Sequence, residues 1–194
     1  MQIELTENQK RELLRLARKT ISEGVTRNLP PEQIQEQEDL PDVFLQKAAS
    51  FVTLQKKGVL RGCIGSTQAH RTLLNDIICN AFASAFRDTR FPPVTENELP
   101  EIKIEISILT PQQRMNIADE RDLLKQLRPG IDGLSIRNSQ YTATFLPQVW
   151  KQLPNPRQFL AHLKNKAGMP PGTWPDDMEC FRYQCMKFEE RRGS

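Results

Sequence analysis

The sequence predicts an α+β fold, built mainly on antiparallel sheet with helices on the outside. Candidate strands stand next to each other in pairs, which argues against a doubly wound parallel sheet, where strands and helices alternate singly. Apolar residues at helical spacing flank those pairs. The order helix, hairpin, helix, strand then occurs twice along the chain. An internal duplication and a coincidence both explain this repeat, because the two halves share few identical residues.

A capping box and a helical stripe predict the first helix. Thr6 and Gln9 have the spacing of a capping box, and apolar residues then recur every three or four positions. The helix is predicted over 7–22, because Gly24 is a typical stop signal. From Gly24 to Pro41 the chain is polar and contains several prolines, which predicts an irregular crossing with at most one helical turn.

The next segments predict a β-hairpin followed by a helix. Residues 44–56 and 59–66 are rich in apolar residues and flank the turn signal Lys57-Gly58. Thr67 is a candidate N-cap for a helix with one continuous apolar stripe, which ends before the Pro92-Pro93 break.

Isoleucine alternates with other residues from 102 to 109, which predicts a strand with one buried face. Glu105 and Ser107 lie on its polar side, which faces either solvent or a cleft, so both are candidate ligand-binding residues. The second half of the chain predicts a helix at 119–127, strands at 132–137 and 140–146, a helix at 156–166 and a strand at 178–188.

Length and composition indicate a soluble, cytoplasmic protein with one large domain over 1–194 or two closely packed lobes. The net charge of +3, with both signs mixed, gives no indication of nucleic-acid or membrane binding. No segment reaches the about 18 apolar residues of a membrane span. The start resembles no secretory signal, so the four cysteines are expected to be reduced thiols. Cys180 and Cys185 differ in strand parity and no Cys-x-x-Cys pair occurs, so no metal site is predicted.

The strongest candidate site is Leu60-Arg61-Gly62-Cys63-Ile64-Gly65. Period-2 alternation on a strand would place Arg61 and Cys63 on one face, about 7 Å apart. A cation that near favours the thiolate, so Cys63 is a candidate nucleophile and Arg61 its activator. The thiol of Cys63 is alternatively a small apolar group in a tight position. Gly62 and Gly65 either present backbone N–H groups to an anionic ligand or allow another strand or helix to pack closely.

Three further residues are candidates for ligand binding. Asp88 would orient Arg90 toward a carboxylate or phosphate ligand through bidentate hydrogen bonds, unless the pair only fixes a loop. Gln148 follows Pro147 at a predicted strand-to-helix turn, where its amide lines a pocket or closes the core. His70 is the nearest candidate base for Cys63, but a histidine near a helix start is usually solvated. The nucleophile therefore lacks a convincing base.

Six segments in order along the chain carry a family resemblance: 60–65, 80–93, 105–109, 133–137, 146–149 and 166–169. Together they resemble the AMMECR domain family, whose prokaryotic members are called protein A of the AmmeMemoRadiSam system. The resemblance implies an α+β fold with a larger and a smaller lobe and a cleft. It also implies a shared pathway with a Memo-type protein and a radical S-adenosylmethionine enzyme. It implies no settled reaction, and no cofactor is predicted for this chain.

The sequence leaves three function classes open. The preferred class is an accessory or ligand-binding component of the Memo-type and radical S-adenosylmethionine pathway, with a polar cleft around Arg61, Cys63, Asp88 and Arg90. The second is a cysteine-dependent transferase or hydrolase that uses Cys63 as its nucleophile. The third is an RNA-binding or scaffold module, which would use a cluster of the basic residues Lys56, Lys57, Arg61, Arg87 and Arg90. The low net charge and the absence of aromatics interleaved with these residues argue against it.

Overall fold

A computed structural model of the chain describes residues 3–27 and 40–191. It divides into two compact units, a larger one of residues 1–109 and 186–194 and a smaller one of residues 110–185. The predicted α+β class is confirmed, since both units are antiparallel sheets with flanking helices. Most of the predicted irregular crossing from Gly24 to Pro41 lies outside the described residues.

Five α-helices and nine strands occur within the described parts of the chain. In chain order they are α1 (Glu7–Arg27), α2 (Asp42–Leu45), β1 (Lys47–Lys56), β2 (Val59–Gly65), β3 (Arg71–Thr72), α3 (Leu73–Phe86), β4 (Ile102–Leu109), β5 (Gln113–Arg114), α4 (Glu120–Gln126), β6 (Gly133–Arg137), β7 (Thr142–Phe145), α5 (Pro156–Lys166), β8 (Glu179–Tyr183) and β9 (Cys185–Glu189). Short 3-10 helices lie at Glu96–Glu101 and Pro147–Lys151. No helix of this described set has the length and apolar character needed to cross a membrane.

The sheet of the larger unit has the strand order β2-β1-β4-β9, and β3 adds two residues to β1. The central strand β1 runs antiparallel to both β2 and β4. Val52 and Leu54 of β1 are fully buried in one core with residues of α1 and α3, such as Leu13 and Ile77. These helices therefore cover one face of the sheet, as the apolar stripes of both helices predict.

The smaller unit repeats this arrangement with the strand order β5-β8-β6-β7. Its core is centred on Phe159 of α5, whose ring stacks on Trp150 with ring centres 3.8 Å apart. The hydroxyl of Tyr183 donates to the carbonyl oxygen of Phe145 at 3.0 Å and fixes β8 against β7. In both units the first hairpin strand lies between the second hairpin strand and the strand after the helix. The predicted repeat of element order is therefore confirmed at the level of sheet topology.

Three predicted boundaries were wrong. Helix α1 continues past Gly24 to Arg27. Gly24 does not end the helix but leaves room for the ring of Phe86, which packs where a side chain at Gly24 would lie. The N-cap of α3 is Thr72 rather than Thr67, and its hydroxyl accepts from the N–H of Asn75 at 3.4 Å.

The strand predicted at 178–188 is two strands, β8 and β9, which belong to different sheets. Gln184 lies between them in the chain, so alternation does not run continuously from Cys180 to Cys185. The parity argument used for these two cysteines therefore does not apply.

We predict that Gly62→Ala lowers the free energy of unfolding by about 3 kcal/mol, because a Cβ at Gly62 would overlap the backbone carbonyl oxygen of Ser84, which cannot move independently of α3. The matched control is Gly58→Ala in the hairpin turn. That position has open space but a φ of +80°, so about 1 kcal/mol is expected. Urea unfolding of both variants measures the difference, and equal losses would show that the close approach at Gly62 is not rigid.

Candidate functional site

A β-bulge interrupts β2 inside the glycine-flanked motif. Leu54 of β1 pairs with Gly62, but the next residue, Gln55, pairs with Leu60, so Arg61 is the extra residue. A bulge breaks the period-2 alternation of a strand and redirects its side chains. The prediction that Arg61 and Cys63 share a face depended on this alternation.

Arg61 is bound to a carboxylate on the 3-10 helix before β4. Its Nε and Nη2 donate to the carboxylate of Glu98 at 2.9 and 3.0 Å, and Lys56 donates to the same group at 3.2 Å. Arg61 is only 8% exposed. The hydrogen bond from Arg61 is the largest reason why the pKa of Glu98 falls to about 2. Arg61 therefore serves this ion pair, and its predicted role as the activator of Cys63 was wrong.

Asp88 and Arg90 hold the backbone of Cys63 from the outer side of β2. Asp88 accepts the N–H of Cys63 at 2.9 Å, and Arg90 donates to the carbonyl oxygen of Cys63 at 3.1 Å. Arg90 also donates to both carboxylate oxygens of Asp88, at 2.9 and 2.7 Å, which is the bidentate pair predicted from the sequence. These bonds, first that from Arg90, hold the pKa of Asp88 far below its usual range despite burial.

Asp88 continues a polar series along α3 that the sequence analysis missed. Asp76, Asn80 and Ser84 follow at intervals of four residues along one side of α3, and Asp88 continues this spacing two residues beyond the end of the helix at Phe86. All four are at least 94% buried. The signal was present in the sequence, because these polar residues interrupt an otherwise apolar helix at a regular spacing.

The members of this series bind the backbone of the hairpin. Asp76 accepts the N–H of Ser50 at 2.8 Å, and Asn80 donates to the carbonyl oxygen of Ser50 at 3.0 Å. Ser84 donates to the carbonyl oxygen of Val52 at 2.7 Å and accepts the N–H of Ile64 at 2.9 Å. The series therefore fixes the position of β1 and β2 on α3.

The two motif glycines serve close packing within the chain. A side chain at Gly62 would overlap the Ser84 carbonyl group, and one at Gly65 would overlap the ring of Phe51 and the carbonyl oxygen of Ser50. The space beside both glycines is thus filled by the protein itself. The structure therefore supports the alternative of close packing for both glycines, and anion binding by their N–H groups stays a prediction.

The thiol of Cys63 lies in a polar row across the sheet. Thr53 of β1 is directly opposite both Cys63 and Glu105, so the three side chains share the sheet face away from Val52 and Leu54. The sulfur lies 3.3 Å from the hydroxyl oxygen of Thr53.

Burial is the main reason why the pKa of the Cys63 thiol is raised. The Thr53 hydrogen bond and the charge of Arg90 act in the opposite direction but do not overcome burial and the charges of Asp88 and Glu105. The direction of this shift contradicts the predicted preference for the thiolate.

Both faces of β4 are buried, which corrects the prediction of one buried face. Glu105 is 4% exposed and Ser107 is 3% exposed, so neither side chain faces open solvent. Glu105 forms an ion pair with Lys187 of β9 at 2.6 Å. This pair compensates the buried carboxylate and completes the row that begins at Cys63.

The remaining candidates lie apart from this row. His70 is exposed in the segment after β2. Gln148 is exposed on the 3-10 helix of the smaller unit, where Trp150 rather than Gln148 closes the core. The described residues contain no group of three His, Cys, Asp or Glu side chains arranged to hold a metal ion.

The architecture defines a class of two-unit antiparallel α+β proteins with a glycine-flanked cysteine on an outer strand. The chain belongs to the AMMECR1 family, whose family model matches residues 14–188. It is 36% identical over 188 residues to a Methanothermobacter thermautotrophicus protein and 38% identical over 192 residues to a Methanosarcina acetivorans protein. The first alignment covers 96% of this chain and 96% of the relative. The second covers 97% of this chain and 96% of the relative.

The solved structure of Uncharacterized Protein PH0010 from Pyrococcus horikoshii is similar to this chain with a TM-score of 0.81 and 33% sequence identity. The match covers 92% of this chain and 90% of that chain. The family resemblance stated from the motifs is therefore confirmed for both sequence and fold.

We predict that stability is lost on acidification. The folded-state pKa values of Asp88 and Glu98 lie below the unfolded values of about 4, so both carboxylates stabilise the fold above that pH. The free energy of unfolding should be level from pH 6 to 8 and fall as the pH drops from about 4.5 towards 2. Asp88→Asn should cost about 2 kcal/mol at pH 7 and reduce the acid-dependent loss.

Urea unfolding at a series of pH values measures both effects. The exposed Asp176→Asn variant controls for the removal of a carboxylate. An Asp88→Asn profile parallel to that of the wild type would show that this carboxylate does not contribute to the acid dependence.

Proposed function

We propose that this chain is a non-catalytic, ligand-binding accessory protein that works in one pathway with a Memo-type protein and a radical S-adenosylmethionine enzyme. One observation carries the ligand-binding part. Asp88 orients Arg90 and the Cys63 backbone together, while 56% of the Arg90 side chain stays exposed beside the Cys63 residue. The partnership rests on the family resemblance.

The exposed guanidinium of Arg90 is suited to an anionic ligand. Its Nε and Nη2 already bind Asp88, so its direction is fixed before a ligand arrives and less conformational entropy is lost on binding. The guanidinium also lies 5.5 Å from the ring centre of Phe91, which gives it an apolar support. A carboxylate or phosphate bound to the exposed part of the Arg90 guanidinium would lie close to Cys63.

The environment of Cys63 favours binding over nucleophilic catalysis. A catalytic thiol needs a lowered pKa or an adjacent base. Here burial raises the pKa of the thiol, and the carboxylates of Asp88 and Glu105 act in the same direction. The neighbour of the sulfur is the hydroxyl of Thr53, which is not a base at neutral pH.

We predict that Cys63 reacts slowly with iodoacetamide at pH 7, with a rate midpoint above the about 8.5 of a free thiol. The rate at Cys63 is followed by peptide mass spectrometry, which separates it from the other three cysteines. A midpoint well below 8.5 would favour the cysteine-dependent transferase or hydrolase and contradict the non-catalytic role.

The negatively charged reagent iodoacetate tests the anion site in the same assay. Arg90 should raise the ratio of the iodoacetate rate to the iodoacetamide rate, and Arg90→Gln should lower this ratio about threefold. The control is Arg87→Gln, because Arg87 also lies beside Asp88 in the sequence, but its guanidinium lies over the ring of Phe82. An equal ratio in the wild type and Arg90→Gln would show that Arg90 attracts no anion to Cys63.

We predict that a tagged form of the chain retains the Memo-type protein or the radical S-adenosylmethionine enzyme when the three are co-expressed from one genome. Cys63→Ser should retain the same partner, because the accessory role does not use thiol chemistry. Retention of neither partner by the wild-type chain would contradict the proposed pathway. Loss of retention in Cys63→Ser alone would instead show that the thiol is required.

A further inference from the structure

A groove in the larger unit lies away from the Cys63 motif. Its cavity volume is about 850 Å³, within the range of small-molecule sites. It is formed by one side of α1, the 3-10 helix before β4, the start of β4 and the end of β9. Its lining includes Arg11, Leu14 and Arg18 of α1, Ile102 of β4, Phe188 of β9 and Arg191.

Arg18 builds the inner wall of this groove. Its guanidinium donates to the carboxylate of Glu190 at 2.6 Å and to the carbonyl oxygens of Leu99 and Ile102 at 3.0 and 2.8 Å. Glu190 in turn accepts the N–H of Ile104 at 2.9 Å. These bonds join α1 to β4 and to the end of β9, so the groove is formed before any ligand binds.

The charges that line the groove are unequal. Six cationic side chains and four carboxylates face it, which leaves two positive charges in excess. Three of the carboxylates already pair with groove cations: Glu7 with Lys10, Glu189 with Lys103 and Glu190 with Arg18.

The fourth carboxylate, Glu101, pairs with Lys56 and Lys57, which do not line the groove. Arg11 donates to the amide oxygen of Asn8, which carries no charge.

Arg15 forms an ion pair with Glu12, which lies outside the lining, at 2.6 Å. The remaining cations of the lining are Arg11 and Arg191, and both are exposed. The positive excess therefore lies at the rim, at Arg11 of α1 and at Arg191 just after β9.

The floor of the groove is apolar. Leu14 of α1 and Ile102 of β4 are 7% and 5% exposed, and Phe188 of β9 packs partly buried against the same core. An inorganic anion would use the rim but not this floor. A neutral apolar molecule would use the floor but gain nothing from the excess positive charge.

We propose that this groove binds a small organic anion with an apolar body and an acidic group. The apolar body packs on Leu14 and Phe188, and the acidic group lies at the rim near Arg11 and Arg191. The site is independent of the proposed function at Arg90, because it shares no lining residue with the Cys63 motif.

Fluorescence titration with 1-anilinonaphthalene-8-sulfonate tests the proposal, since this probe joins an aromatic body to a sulfonate. We expect saturable binding with one site per chain. Arg11→Glu combined with Arg191→Glu should weaken binding about tenfold through the reversed charges at the rim. The same charge change at two exposed sites of the smaller unit, Arg121→Glu combined with Arg157→Glu, should leave binding unchanged.

A second probe, N-phenyl-1-naphthylamine, has the same aromatic body without the sulfonate. It should bind at least tenfold more weakly, and equal binding would overturn the requirement for an acidic group. Non-saturable binding of the sulfonate, or the same affinity in the double variant, would overturn the site. Cys63→Ser should leave the titration unchanged, so a failure here is distinguished from a failure of the anion site at Arg90. Matching urea unfolding curves exclude loss of the fold as the cause.

Discussion

The hydrogen bond from the backbone N–H of Cys63 to the carboxylate of Asp88 is the contact on which the organisation of the motif depends. It fixes β2 at the end of α3 and gives Asp88 the position from which it holds Arg90. A buried carboxylate is costly unless every acceptor direction is used. Here a backbone donor and a bidentate guanidinium use them, so the cost of burial is offset by charge-assisted bonds.

The polar series on α3 fixes the hairpin in the same way, through buried hydrogen bonds to its backbone along the length of the helix. Apolar packing between a helix and a sheet is non-directional and allows small sliding movements, whereas a buried hydrogen bond allows one register. Asp76, Asn80 and Ser84 each bind a specific backbone group of the hairpin. A shift of one residue along β1 would leave these groups unpaired in a buried position. The series thus specifies the position of the hairpin, and the apolar core supplies most of the stability.

The fold class, the sheet pairs and the helices α4 and α5 were predictable, because period-2 and helical patterns with local caps carry that information. The position of Arg61 was not predictable, since a bulge depends on the pairing of β2 with β1 and has no local signal beyond the glycine that follows it. Gly24 was misread because its role is to accommodate Phe86, a residue 62 positions away. The pKa of Cys63 was misjudged for a similar reason. Burial is a tertiary property, and the carboxylates of Asp88 and Glu105 reach the thiol only after folding.

The contacts at Cys63 have a consequence for the behaviour of the chain in concentrated solution. Strand β2 is the last in its sheet, and an outermost strand offers unpaired backbone groups to a strand of another molecule. In this chain Asp88 and Arg90 occupy the outward N–H and carbonyl groups of Cys63. The ion pair therefore takes the place that a neighbouring strand would otherwise fill, and it protects this part of the molecule against intermolecular sheet growth.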